Sequence, residues 1–99
     1  MDLLLGQIIK QARVRKKLTL KEVAEIIGVD TSTLAKIEKN QRFPNKGIID
    51  KISVCLNLDI NNLMNNDLCD RIIYKISSED NPEEILRLAE KKLKYLHKK

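Results

Sequence analysis

The sequence predicts an all-helical protein, and three observations carry that prediction. Apolar residues recur at three- and four-residue spacing along most of the chain, no segment sustains the alternation of a half-buried strand, and only two prolines occur. Caps and left-handed-tolerant residues then cut the chain into five helices followed by two more. At 99 residues the expectation is one compact domain with a short appendage. Aromatics are only 3% of the chain, so its core must be built from Leu, Ile and Val.

Around residues 3 to 16, Leu5, Ile8, Ile9 and Ala12 share one helical face, and residues 17 and 18 end it. Thr19 and Glu22 have the spacing of a capping box, in which each side chain satisfies the other's orphan amide. Leu20, Val23, Ala24 and Ile27 then form one apolar stripe over about two turns, and Gly28 supplies a left-handed C-terminal residue. Val29 is a single apolar plug, and Asp30 offers a new N-cap. The third helix runs to about Lys39 with Leu34 and Ile37 inward, and Asn40 tolerates the backbone that ends it.

"NQRFPN" reads as a loop. The fourth helix spans about 46 to 56 with Ile49, Ile52, Cys55 and Leu56 inward; Asn57 closes it, and Asp59 caps a short fifth helix through "INNLM". "NND" at 65–67 is a polar break, which predicts a domain over 1–66 and a helical extension over 67–99. In the extension, Leu68, Ile72, Ile73 and Ile76 mark one helix over about 67–77. Asn81, Pro82 at the first helical position and two acids in the first turn open the last helix. Its stripe is Leu86, Ala89, Leu93 and Leu96.

The net charge is +5, which leans towards an anionic partner. The excess is uneven: residues 1–66 carry 11 Lys or Arg against 7 acids, and residues 67–99 carry 8 against 7. A polyanion site is therefore expected in the first two-thirds. Cys55 and Cys69 form no C-x-x-C and no metal-type cluster, so no metal site is expected and Cys55 reads as a small packed hydrophobe. The apolar run of "MDLLLGQIIKQ" is too short for a membrane span and lacks a basic leader, so a cytoplasmic protein with no membrane partner is expected. No catalytic residue can be argued. The one histidine, His97, lies near the end, and Gly6, Gly28 and Gly47 are too scattered for a phosphate loop. No cofactor is expected.

Helices at 19–27 and 30–39 joined through Gly28, Val29 and Asp30 have the arrangement of a helix-turn-helix. Small Ala24 lets the second helix cross close over the first. At 100° per residue, Leu34 and Ile37 point one way, while Ser32, Ala35, Lys36 and Lys39 point the other, with Thr31 at the exposed end. Short polar and cationic side chains suit a helix that enters the DNA major groove, since bulky ones would hold it off. An ordinary solvated face would carry the same charge and polarity.

The order and spacing of "LTLKEVAEIIGVD", "TLAKIEKNQRFP" and "LNLDINNL" resemble the Cro/C1-type helix-turn-helix, or XRE, family of transcriptional regulators, over roughly residues 5–64. The resemblance implies a five-helix lambda-repressor-like domain, here with two C-terminal helices added, that binds double-stranded operator DNA, usually as a dimer. It places base reading on Thr31, Ser32 and Lys36. Phosphate contacts fall near Lys39, Asn40 and Arg42 and at the start of the second helix. It also makes Arg13 and Glu38 a structural pair linking the first and third helices. Three positions depart from the family pattern. Leu20 replaces a common phosphate-binding Gln, a role left to Lys21 or to backbone amides. Asn40 replaces a Gly, and Ile26 stands where a polar residue is common.

The extension lies outside the resemblance. A helix of this length is marginal alone in water, so the Leu86–Ala89–Leu93–Leu96 stripe must pack on something. It can fold back on its own domain, pair across a homodimer, or bind another protein. The reading is a repressor or autoregulator; the rival is a protein-interaction module, such as an antitoxin or adaptor, working through residues 67–99.

Overall fold

The computed structural model describes residues 3–98 and contains six α-helices and no strand among them: α1 Leu5–Arg15, α2 Leu20–Ile27, α3 Thr31–Glu38, α4 Lys46–Leu56, α5 Ile60–Ile76 and α6 Pro82–His97. The first four fall where the apolar spacing puts them. Their ends follow local chemistry. Thr19 Oγ1 accepts from the Glu22 N–H at 3.0 Å while Glu22 Oε1 accepts from the Thr19 N–H at 2.9 Å, which completes the capping box. Gly28 is left-handed at φ 75°, and the Val29 N–H returns to the Ala24 carbonyl. Asn40 and Asn57 take the left-handed backbone after α3 and α4. Asp59 caps α5 by accepting from the Asn62 N–H. Asp30 and Asn81 stand at N-cap positions, but neither side chain accepts a capping bond there.

The core is aliphatic, as the scarcity of aromatics requires. Leu5, Ile9 and Ala12 of α1, Val23, Ala24 and Ile27 of α2, Leu34 and Ile37 of α3, Ile49, Ile52 and Leu56 of α4, and Leu63 of α5 are buried together. Val29 packs against this cluster from the turn. Ile26 is not covered by any later helix and stays exposed.

The expected break at 65–67 does not exist. Asn65, Asn66 and Asp67 lie inside the unbroken α5, so the expected fifth and sixth helices are one and the five-plus-two division becomes four plus two long helices. Polar residues interrupt a helix only when their side chains compete for its backbone. Here Asn66 Nδ2 donates one turn back to the Asn62 carbonyl and Oδ1, a bond the helical backbone accommodates, and Asp67 accepts from Arg71 one turn on.

The two halves of the expected extension fare differently. α5 packs on α1 and α4, although Leu68, Ile72 and Ile73 remain more than 40% exposed. No residue of α6 is buried, so its stripe is not folded into the core. The radius of gyration, 15.7 Å, exceeds the roughly 13 Å of a compact chain of this length, as a helix outside the core requires.

Candidate nucleic-acid interface

α3 is only eight residues long, too short to persist alone in water. Packing holds it. Leu34 and Ile37 are at most 1% exposed and fix its inner face against α1 and α2. Thr31, Ser32, Lys36 and Lys39 are exposed on the outer side, and Ala35 between them is half-buried. Lys36 is one turn from Ser32, so a hydroxyl and an ammonium share a face a short distance apart. Because Asp30 makes no capping bond, the first amides of α3 have no side-chain acceptor from that residue. Lys21 is exposed at the start of α2, whereas the Glu22 N–H there is taken by Thr19.

The Arg13–Glu38 pair forms a two-bond fork between α1 and the end of α3. Nε donates to Glu38 Oε2 at 2.7 Å and Nη2 to Oε1 at 3.0 Å, while Nη1 donates to the Leu18 carbonyl at 2.8 Å. Both residues are buried. The Glu38 bonds raise the Arg13 pKa, burial opposing, so the guanidinium stays charged. Lys10, Leu20, Ala35 and Lys39 frame a shallow cleft over the pair. The pair fixes the roll of α3 and leaves neither charge for a partner.

Lys39 and Arg42 are exposed after α3, with no ion pair among the described residues. Asn40 differs from them: its Oδ1 accepts the Gly6 N–H at 2.8 Å, so only its amide hydrogens remain for an anion. Gly6 thereby becomes a site residue that sequence reasoning passed over. A Cβ there would sit 2.6 Å from both the Glu38 carbonyl and Asn40 Oδ1, so α1 can touch the end of α3 only through glycine. A glycine inside a helix, which costs roughly 0.5–1 kcal/mol against alanine, was the available signal. Asp70 and Arg71 were missed as well: Asp70 Oδ2 accepts the Leu5 N–H at 2.7 Å, across 65 residues, a separation no local pattern reports.

Outside this face little chemistry converges. Among the described residues no three His, Cys, Asp or Glu side chains could share a metal, and no helix is long and apolar enough to cross a membrane. Burial pushes the Cys55 thiol up, with Lys16 opposing, which suits a packed thiol. Leu86, Ala89, Leu93 and Leu96 are brought together on α6 but meet no buried surface.

A short helix crossing α2 over a glycine turn, locked from behind and polar outside, defines a helix-turn-helix protein. The chain belongs to that family: the helix-turn-helix domain model matches residues 6–68, and the kind is the XRE, Cro/C1-type regulators. Over 63 residues it is 40% identical to the HTH-type transcriptional regulator SinR of Bacillus licheniformis, covering 63% of this chain and 57% of that protein. It therefore spans little more than half the length of the curated relatives it matches. The crystal structure of SinR, the master regulator for biofilm formation, in complex with DNA superposes with a TM-score of 0.56 at 38% identity, covering 61% of this chain and 97% of that one. The SinR–SinI complex matches 96% of this chain and 99% of that chain, with a TM-score of 0.58 at 24% identity, a likeness of fold alone.

Proposed function

We propose that the chain is a cytoplasmic, sequence-specific DNA-binding transcriptional regulator, a repressor or autoregulator without enzymatic activity. α3 enters the major groove, with Thr31, Ser32 and Lys36 reading base edges. Lys21, Lys39, Asn40 and Arg42 engage phosphates. The observation that carries this reading is the division of α3: Leu34 and Ile37 are sealed in the core while Thr31, Ser32, Lys36 and Lys39 all face outward. Phosphate contacts supply salt-sensitive affinity and base contacts supply specificity.

One such unit makes few base contacts, and a homodimer doubles them over half-sites about 34 Å apart. The Leu86–Ala89–Leu93–Leu96 face of α6, exposed along its length, is the surface for that pairing. The same face supports a second reading, a protein-interaction module of antitoxin or adaptor type, in which residues 67–99 take up another protein.

Selection of bound sites from random DNA, with a salt series, tests the proposal. A site with two-fold symmetry is expected. On it, Lys36→Ala should cost about 1–3 kcal/mol in specific binding and much less on random DNA. Equal losses on both would remove Lys36 from base reading, and failure to enrich any site would leave the protein-interaction reading standing.

A further inference from the structure

The segment that leaves α3 is held from behind by two turns of α5, and Arg71 is at the centre of the hold. Its Nε donates to Asp67 Oδ2 at 2.9 Å and its Nη2 to the Pro44 carbonyl at 2.9 Å. The guanidinium lies over the Phe43 ring, 4.7 Å from its centroid. Phe43 in turn meets Tyr74 edge-on, with centroids 5.7 Å apart at 85°. Asp67 is 5% exposed, so the anchor of this clamp is inside the protein. The other end of the segment is pinned through Asn40, which accepts the Gly6 N–H. Arg42 lies between the two pins with its own side chain exposed.

An unpinned stretch of this kind would lose backbone freedom at every residue when a partner ordered it. Ordering it beforehand removes that cost from binding. Arg71 gives its Nε–H to Asp67 and an Nη2–H to the Pro44 carbonyl and lays its planar face on Phe43, a combination a lysine cannot reproduce. We propose that Arg71 is a positioning residue for the DNA backbone contact: it fixes Phe43 and Pro44 and thereby aims Arg42 at a phosphate without touching DNA itself. This rests on the DNA-binding reading above. It is possible only because α5 runs unbroken through 65–67 and so carries Asp67, Arg71 and Tyr74 over the loop.

The test uses the full chain, the DNA site selected by the wild type, and Arg71→Gln, Arg42→Ala and the double variant, each checked for folding by its melting curve. Arg71→Gln should weaken binding about five- to tenfold and shallow the log–log salt slope by roughly 0.9, the share of one phosphate. Arg42→Ala should do the same, and the double variant should be no worse than Arg42→Ala. Losses that multiply in the double variant would overturn the proposal, as would a folded Arg71→Gln with an unchanged slope. Should Arg71→Gln not fold, Phe43→Leu, which removes the ring under the guanidinium, is read by the same slope. A wild type that selects no DNA fails the parent reading and this one together; a wild type that binds, with an unmoved slope in the variants, sinks the clamp alone.

Discussion

α3 and α6 are both amphipathic with a basic residue in the last turn, yet they are held in opposite ways. α3 has eight residues and buries Leu34, Ile37 and Glu38. α6 has sixteen and buries none. The short helix exists because its neighbours fix it: two core side chains and the Arg13 fork act within it, and the Gly6–Asn40 bond holds the chain just past its end. The long one is supported locally, by Pro82 at its first position, acids in its first turn, and the exposed Arg87–Glu84 and Lys94–Glu90 pairs. Exposed pairs of that kind contribute only about 0.3–0.5 kcal/mol each. Helical order in one is tertiary and in the other local, and only the first gives a polar face held rigidly from behind. The second gives an apolar face still to be covered.

The contrast is broken most severely on the α3 side. Glu38→Ala strands the buried Arg13 guanidinium and should cost about 3–5 kcal/mol in a denaturant melt. A loss below about 1 kcal/mol, the worth of an exposed pair, would mean that the fork is not what holds α3. Gly6→Ala is next. A methyl pushed against the Glu38 carbonyl and Asn40 must move α1 or the end of α3, a cost of about 1–3 kcal/mol, although alanine is the better helix former. A stabilised Gly6→Ala protein would deny the close approach.

On the α6 side the expected effect on the single chain is small. Leu93 is 54% exposed, so Leu93→Ser should shift the stability of dilute, monomeric protein by no more than about 0.5 kcal/mol. The same change should lower the sedimentation coefficient of concentrated protein if α6 pairs across a dimer. A large loss in dilute protein would show α6 packed on its own domain. The finest test concerns the α2 cap. Bonds from the Thr19 amide and hydroxyl hold the Glu22 carboxyl below its usual range. A depressed carboxylate stabilises the fold above the unfolded pKa of about 4.3 and loses that contribution as pH falls through its lower folded value. Glu22→Gln should flatten the acid limb of the stability curve below about pH 4, and an unchanged limb would leave the cap without a pH signature.

The turn chemistry was legible in the sequence because it is local. Thr19 with Glu22, Gly28, Asn40 and Asn57 each act within a few residues, and the apolar spacing of α2 to α4 points inward wherever those helices pack. The outer face of α3 was legible for the same reason. The misreading at Asn65-Asn66-Asp67 has a definite cause. Polar residues that usually break a helix are neutral when they bond along it, as Asn66 does to Asn62 and Asp67 to Arg71. Gly6, Asp70 and Arg71 were not legible as site residues, since their partners lie 34, 65 and 27 positions away.

By itself, then, the sequence determined the helical class, the helix-turn-helix and the side chains α3 can offer, since helical periodicity and capping depend on neighbours within one or two turns. Only the tertiary structure decided how that face is aimed. Gly6 against the end of α3, Asp70 on the start of α1 and Arg71 against Phe43 and Pro44 come together because the aliphatic core brings α5 across α1 and the loop. It also decided that the extension divides, α5 joining the domain and α6 remaining outside, because burial depends on what surface lies opposite a stripe and not on the stripe alone.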